Sequence, residues 1–469
     1  MHLLKFLREE RWLILGLLVG LLIAFLPSPA GLSVGGMRAL GLVCMAVIFF
    51  ITEPVPLPTV ALLIAVFQVI LGIGGPSEVA RSFMSDAVFF IMGALMISVA
   101  IVKQRIDRWI ALWLFRITGP RVGAVVLGLV AVSAILSSFI GTYTMAAIML
   151  PVALTIVSLA QEDHPQVRNL ARLLLLAIAY GCAIGTLGTP SGGARNAIML
   201  DYWHRLFNLK VGYSAWIVHA YPLVLLQIPV VAGILLWTFK PEVKDLQAVI
   251  ARLHATMAKE EGFGARDWQV LSIFLLTLLG WITLGERIGL GTVALAGASL
   301  YLIFGLVSWE DLNGGVNWGV VLLYAASISL GYQMKESGAA AWIAQHFLNG
   351  LQPLGMAHGL PLLMAISLFT LLVSNSMSSG AAVAALGPIT LNMAALTGGN
   401  IVGTGLVTVI SSTFAYLTVI AAPATTIVYA SGYLTPKDLL RAGYKLALAS
   451  VIILLGFVAL YWPLVGLSR

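Results

Sequence analysis

Long apolar stretches recur along nearly the whole chain, separated by short polar intervals. Each is close to the roughly 20 residues that a helix needs to cross the hydrocarbon core of a bilayer, although some are shorter. The pattern therefore predicts about eleven membrane-spanning helices and two shorter, polar-tipped hairpins. The clearest apolar stretches are residues 12–26, 59–73, 88–102, 122–136, 217–239, 270–284 and 446–464.

The composition agrees with this pattern. Of 469 residues, 60% are hydrophobic and 10% are charged, whereas soluble domains carry roughly 25% charged residues. A soluble chain of this length would form several domains, and 19 acidic and 26 basic residues are too few to cover their surfaces. A soluble protein is excluded, and we expect an all-α polytopic membrane protein.

The net charge of +7 bears on topology rather than on partners. Lys5, Arg8 and Arg11 precede the first apolar stretch, which predicts a cytoplasmic N-terminus in a plasma membrane, the inner membrane of a bacterium. No basic run is interleaved with aromatic residues, so no nucleic-acid partner is expected. No nucleophile–base pair, phosphate-binding loop or metal-ligand spacing of histidines is present, so we expect neither an enzyme nor an organic cofactor.

The two halves of the chain resemble each other. Ser374 follows Gly141 by 233 positions, and Pro423 follows Pro190 by the same 233, so a polar cluster and a broken segment recur in the same order. This spacing predicts two structural repeats. They comprise residues 1–239, with a hairpin at 137–158 and a broken helix at 170–201, and residues 268–469, with a hairpin at 374–397 and a broken helix at 401–431; a cytoplasmic connector at 240–267 joins them.

Charge predicts the relative orientation of the repeats. The stretch after the first copy of a shared apolar segment is basic, whereas its counterpart carries Lys335 beside Glu336. Basic residues accumulate on the cytoplasmic side, so the two stretches should lie on opposite faces and the repeats should be inverted. The basic residues of the first stretch are Lys103, Arg105, Arg108, Arg116 and Arg121.

Four segments are too rich in Gly, Pro, Ser and Thr to form continuous helices: residues 137–144, 185–196, 374–380 and 411–426. Unpaired backbone at membrane depth is tolerated only within protein or beside a wet cavity. Helices broken there present N–H groups suited to a carboxylate and carbonyls suited to a cation. Alternatively, the small and hydroxyl residues serve close helix packing.

Arg195 lies beside one of these segments. A cation at membrane depth is costly and is by default a functional hypothesis. Its partner is either an anionic substrate or Asp201, in a structural ion pair.

Several segments, in this order, resemble the divalent anion/sodium symporter family, which carries succinate, malate, citrate or sulfate. They are Ile-Thr-Glu-Pro-Val-Pro-Leu-Pro at 51–58, residues 318–344, the two hairpin tips, and residues 427–433. The resemblance implies a scaffold domain, a mobile transport domain with two re-entrant hairpins, elevator-type movement and a homodimer.

Members of that family usually carry Ser-Asn-Thr at both hairpin tips, where it binds substrate carboxylates and helps to form two sodium sites. Here the second tip, Ser374-Asn375-Ser376, nearly matches, whereas the first, Gly141-Thr142-Tyr143, departs at every position. The family's Thr-Pro-Pro-Asn element is also altered, at 189–191 and 422–425. The resemblance implies substrate contacts from Gly141, Thr142, Thr189, Pro190, Ser374, Asn375, Ser376 and Pro423, and we expect Arg195 to join them.

The resemblance also implies a sodium site at Ser374, Asn375 and Ala422. At the second site, near Ser138 and Gly141, the lost side chains should leave weak sodium binding. We hypothesise that Arg195 replaces this sodium as a fixed positive charge.

The expected function is therefore secondary transport of a C4-dicarboxylate such as succinate or malate, with weakened or absent sodium coupling or anion exchange. Two alternatives remain: transport of sulfate or another oxyanion by the same fold, and a passive anion channel.

Overall fold

The computed structural model describes residues 11–104, 119–164, 166–249, 251, 264–419 and 421–467. These residues are predominantly helical. The first-half helices are α1 (Arg11–Phe25), α2 (Val34–Thr52), α3 (Leu57–Ile70), α4 (Pro76–Phe83), α5 (Asp86–Lys103), α6 (Val122–Ile140), α7 (Thr142–Asp163), α8 (Arg168–Gly185), α9 (Ala194–Phe207) and α10 (Tyr213–Thr238). The second-half helices are α11 (Ala265–Thr283), α12 (Gly285–Ile288), α13 (Leu290–Ile303), α14 (Trp309–Gly315), α15 (Trp318–Glu336), α16 (Ala339–Leu351), α17 (Gly359–Ser376), α18 (Ser379–Thr397), α19 (Ile401–Ser412), α20 (Pro423–Tyr429) and α21 (Pro436–Leu460).

In the described part of the chain, ten helical segments are long and apolar enough to cross a membrane when α4 and α5 are counted as one, or eleven if α14 and α15, bent by 65°, form one span. The predicted all-α polytopic fold is confirmed. Helices of both predicted hairpins (α6, α7, α17 and α18) meet the same criteria of length and composition, so the prediction that the hairpins are re-entrant stays a prediction.

Large apolar side chains cover the outer faces of the peripheral helices, as expected of surfaces that contact lipid. Leu22 of α1, Ile303 of α13 and Leu460 of α21 are each at least 65% exposed. Helix α8 differs, because nearly all its side chains after the first turn are buried. It packs against α6, α7, α10 and α20, which makes it the central element of this part of the protein.

The chain breaks at the four predicted places. The first hairpin turns at Gly141, between α6 and α7, and the second at Met377 and Ser378, between α17 and α18. Between α8 and α9 the chain passes through a short 3₁₀ helix, Pro190–Gly192, and residues 413–419 after α19 are irregular. The equivalence of the two halves and their inverted relation stay predictions.

Glu242, near the start of the connector between the halves, contacts the N-terminus of α8. The carboxylate of Glu242 accepts hydrogen bonds from the backbone N–H groups of Asn169 (2.8 Å) and Leu170 (3.1 Å), at the start of α8. A negative charge at a helix N-terminus is stabilising, so Glu242 ties the connector to this end of α8. Helix α11 begins at Ala265, slightly before the predicted boundary at 268.

Part of the predicted topology concerns residues outside the described ranges. Lys5 and Arg8, which predict a cytoplasmic N-terminus, lie there, as do Arg105, Arg108 and Arg116 of the basic stretch. The sidedness of the protein therefore stays a prediction.

Candidate functional site

Two glycines, one in the first hairpin tip and one at the end of α8, allow these two segments to come close together. Gly141 has φ 81° and ψ 164°, a conformation that strongly favours glycine and that ends α6 and begins α7. Gly185 lets α8 approach α6, because a Cβ atom there would lie 2.0 Å from the carbonyl oxygen of Ala134. The tip therefore lies directly against the break after α8.

Hydroxyl groups join the tip to that break. Ser138 donates through Oγ to the carbonyl of Gly185 (2.7 Å), and its own carbonyl accepts a hydrogen bond from Oγ1 of Thr189. Thr189 also contacts Oγ of Ser191 (3.1 Å), which in turn contacts the hydroxyl of Tyr213 (2.8 Å). Thr189, a predicted substrate contact, is thus engaged within the protein.

Asn196 closes the break from the other side. Its Nδ2 donates to the carbonyl oxygens of Thr186 and Thr189, each at 2.7 Å. These carbonyls are exposed by the break and would otherwise be available to a cation. The carbonyls of Ser138 and Gly185 also accept hydrogen bonds, so a sodium ion at the predicted second site near Ser138 and Gly141 would have to share these oxygens. Oδ1 of Asn196 is buried and has no hydrogen-bond partner in the part of the chain that the structure describes.

Arg195 is the second residue of α9 and is 8% exposed. Its Nη1 donates to Oγ of Ser379 (2.8 Å) and its Nη2 donates to Oγ1 of Thr186, while its buried Nε has no hydrogen-bond partner. Asp201 instead pairs with Arg205, with 3.0 Å between Oδ1 and Nε. The alternative of an Arg195–Asp201 ion pair is therefore wrong, and no ion pair of Arg195 occurs within the described part of the chain.

The second hairpin tip holds the residues that nearly match the family motif. Ser374 is buried and donates to the carbonyl of Thr370 (2.7 Å), whereas Ser376 is exposed and donates to that of Leu372 (3.2 Å). Both serine hydroxyls therefore bond backward into α17.

Asn375 connects this tip to the break between α19 and α20. Its Oδ1 accepts a hydrogen bond from the N–H of Leu417 (2.9 Å), and its carbonyl accepts one from Oγ1 of Thr418 (2.8 Å). The carbonyl of Ala421 lies 3.4 Å from the backbone nitrogen of Ser379. Ser374, Asn375 and Ala422 thus belong to one region, where the predicted sodium site remains a proposal.

A cavity of about 130 Å³ lies between the first tip, the first break and the second half. It brings together Gly141, Thr142, Pro190 and Pro423, four of the predicted substrate contacts. The other five predicted contacts are not among its described lining residues: Thr189, Arg195, Ser374, Asn375 and Ser376. Its remaining walls include Phe90, Ser98, Tyr143, Ser191, Gly193 and Tyr324.

The electrostatics of this cavity favour an anion. Helices α7 and α9 begin at its wall with Gly141 and Gly193 as N-caps, neither with a side-chain cap, so their first N–H groups and positive dipole ends are directed there. A Cβ atom on Gly193 would lie 3.6 Å from Cζ of Arg195, so the guanidinium group is just behind this wall. No described lining residue carries a carboxylate.

Sequence reasoning missed Ser379, Asn196 and Tyr324 as participants. Asn196 adjoins Arg195 in a break, and an amide in that position is a signal for bonding to freed carbonyls. Ser379 carried no comparable signal, because its contact with Arg195 spans 184 positions of sequence.

A larger cavity of about 380 Å³, lined by Asp86, Asp201 and His204 among others, lies further along α5 and α9.

Comparisons with known proteins identify the family. Among curated relatives, an uncharacterised transporter of Haemophilus influenzae is 25% identical over 441 residues, covering 90% of this chain and 91% of the relative. A sodium-dependent dicarboxylate transporter, SdcS, of Staphylococcus saprophyticus is 23% identical over 474 residues, covering 94% and 89%.

Solved structures show the same fold at lower sequence identity. The YdaH transporter of Alcanivorax borkumensis matches with a TM-score of 0.57 at 14% identity, covering 86% of this chain and 90% of that one. MtrF of Neisseria gonorrhoeae, described as one of a class of antimetabolite efflux pumps, matches with a TM-score of 0.58 at 11% identity, covering 97% and 94%. The family model described as the sodium:sulfate symporter transmembrane region matches residues 8–468, so this chain belongs to the divalent anion/sodium symporter family of membrane transporters.

Proposed function

We propose that this protein is a secondary active transporter of C4-dicarboxylates such as succinate or malate, and that sodium coupling is weakened or absent. The observation that supports this proposal is the buried guanidinium group of Arg195. It has two hydroxyl partners, its Nε has none among the described residues, and it lies behind Gly193, in the wall of a cavity without carboxylates. An uncompensated buried charge is costly, and an incoming carboxylate would offset that cost. The sodium-dependent dicarboxylate relatives support the substrate class.

The proposed substrate site combines Arg195 with the cavity residues Gly141, Thr142, Pro190 and Pro423. N–H groups of α7 and α9 would bind one carboxylate, and Arg195 would supply the positive charge. Ser374, Asn375 and Ser376 would enter this site only if the second tip moves toward the cavity. Elevator-type alternating access is a separate movement, in which the transport domain carries both hairpins together. We propose both movements, and we propose the elevator movement and a homodimer on the family resemblance.

The first break supports weakened sodium coupling. A sodium ion there would have to share carbonyl oxygens that already accept hydrogen bonds from Asn196 and Thr189. A fixed guanidinium charge cannot carry the energy of an ion gradient, so exchange of one anion for another becomes the expected mode. A sodium site near Ser374, Asn375 and Ala422 would, if occupied, restore partial coupling.

Transport of sulfate is the second candidate, because the family model that matches the chain is described by sulfate symport. Sulfate also carries two negative charges and accepts hydrogen bonds from N–H groups at a helix N-terminus. A passive anion channel with this fold would differ from both in showing unsaturable flux.

The test is uptake of labelled succinate into proteoliposomes, under an inward sodium gradient and, separately, with unlabelled succinate preloaded and no gradient. We expect saturable uptake that needs internal succinate and little sodium. Uptake that requires inward sodium would refute the weakened coupling, and competition by sulfate stronger than by malate would favour the oxyanion alternative. Flux proportional to concentration, without stimulation from the far side, would indicate a channel.

A further inference from the structure

The guanidinium group of Arg195 is held by two hydroxyl groups that come from different halves of the chain. Thr186 follows α8 and Ser379 is the first residue of α18, and both side chains are buried, at 0% and 5% exposure. Nη1 donates to Ser379 and Nη2 donates to Thr186. Two anchored nitrogens fix the plane of a planar, delocalised group.

We propose that Ser379 is a positioning residue for the substrate-binding charge: its hydroxyl ties Arg195 to the second hairpin and leaves Nε for the substrate carboxylate. This inference rests on the proposed function. A hydroxyl is suited to the task because it accepts a hydrogen bond without neutralising the cation. A carboxylate at position 379 would fix the guanidinium group equally well but would compete with an anionic substrate.

The orphaned Nε is the second observation that points to a ligand. A buried donor without a partner bears the full cost of its desolvation, and a charged donor bears more than a neutral one. Nη1 and Nη2 each donate one hydrogen bond, so Nε is the one nitrogen of the group without a partner among the described residues, and a carboxylate approaching it would supply one.

The position of Ser379 also couples the site to the second hairpin. Its backbone nitrogen lies 3.4 Å from the carbonyl of Ala421, in the break before α20. The next residue, Gly380, packs against Tyr324, a wall residue of the cavity, because a Cβ atom there would lie 2.3 Å from Cε1 of Tyr324. A displacement of the second tip would therefore move the charge that meets the substrate.

The test compares Ser379→Ala with Ser378→Ala in proteoliposomes. Ser378 is the matched control: its hydroxyl caps α18 by accepting from the N–H of Ala381 (3.3 Å) and has no bond to Arg195. Succinate KM and maximal rate are measured, together with competition by monomethyl succinate, which has one carboxylate fewer. Folding of each variant is checked by its thermal unfolding in detergent.

We expect Ser379→Ala to raise the succinate KM about tenfold, as for loss of a hydrogen bond to a charged group, with a smaller change in maximal rate. The preference for succinate over its monomethyl ester should fall in parallel, and Ser379→Thr should restore both. Ser378→Ala should keep that preference. If Ser379→Ala does not fold, Ser379→Cys, with similar volume and a weaker acceptor, replaces it.

The outcomes separate this inference from the proposed function. If the wild-type protein carries succinate and Ser379→Ala matches Ser378→Ala in KM and preference, only the positioning role is refuted. If the wild-type protein carries no succinate, the proposed function fails and this inference fails with it.

Discussion

Neutralising Arg195 perturbs the proposed site most directly, and Arg195→Gln does so with a side chain that still donates hydrogen bonds. Two unit charges 4 Å apart attract each other by about 4 kcal/mol at an effective dielectric constant of about 20. Glutamine would recover about 1 kcal/mol through a neutral hydrogen bond. The net loss of about 3 kcal/mol corresponds to a roughly 150-fold weaker apparent affinity for a dicarboxylate.

The assay is concentration-dependent succinate exchange in proteoliposomes, with and without sodium. Sodium should not rescue Arg195→Gln, since the carbonyls of Thr186 and Thr189 would still be bonded to Asn196. Arg195→Lys should fall between wild type and Arg195→Gln, because it keeps the charge but loses the fixed fork of donors.

Asp201→Asn provides the matched control. Asp201 is on the same helix, is also buried, and pairs with Arg205 rather than with Arg195. We expect its succinate KM to stay within about threefold of the wild type, as for loss of a partly exposed ion pair. A wild-type KM in Arg195→Gln, or an equal increase in Asp201→Asn, would refute the assignment of Arg195 to the substrate.

Two further predictions concern the first break. Gly185→Ala should lower the thermal unfolding midpoint, because its Cβ would lie 2.0 Å from the carbonyl oxygen of Ala134. The control, Gly233→Ala, meets no atom within 4 Å and should leave the midpoint unchanged or raise it. Equal midpoints in the two variants would contradict the close packing of α8 against α6. Asn196→Ala removes two hydrogen bonds of about 1 kcal/mol each, so the midpoint should fall and succinate exchange should slow. An unaltered exchange rate would show that transport does not need the hydrogen bonds from Asn196 to Thr186 and Thr189.

The four breaks were predictable because they depend on local chemistry. Gly141 adopts positive φ, and Pro190 and Pro423 each begin a helical segment, a position where the missing N–H of proline costs nothing. These preferences belong to single residues and their neighbours. The sequence therefore locates the breaks to within a few residues without knowledge of the packing.

The partners of Arg195 were not predictable in the same way. Its bond to Ser379 depends on how α9 packs against α18, which no local pattern specifies. The pairing of Asp201, however, could be predicted from the sequence. Residues four apart share a helix face whereas residues six apart do not, so helix geometry already favoured Arg205 over Arg195 as its partner.

Two adjacent residues at the start of α9 both bear on sodium coupling, and their roles are complementary. Arg195 would supply the positive charge that an anion needs, and Asn196 occupies the carbonyl oxygens of Thr186 and Thr189 that a sodium ion would need. Neither residue would suffice alone. With Arg195 but without Asn196, the charge would repel sodium while the carbonyls of Thr186 and Thr189 lacked their hydrogen bonds. With Asn196 but without Arg195, the negative charge of a dicarboxylate would have no positive partner. Restoring sodium dependence should therefore require both positions to change, so Arg195→Gln with Asn196→Ala is the variant in which any residual sodium response should be largest.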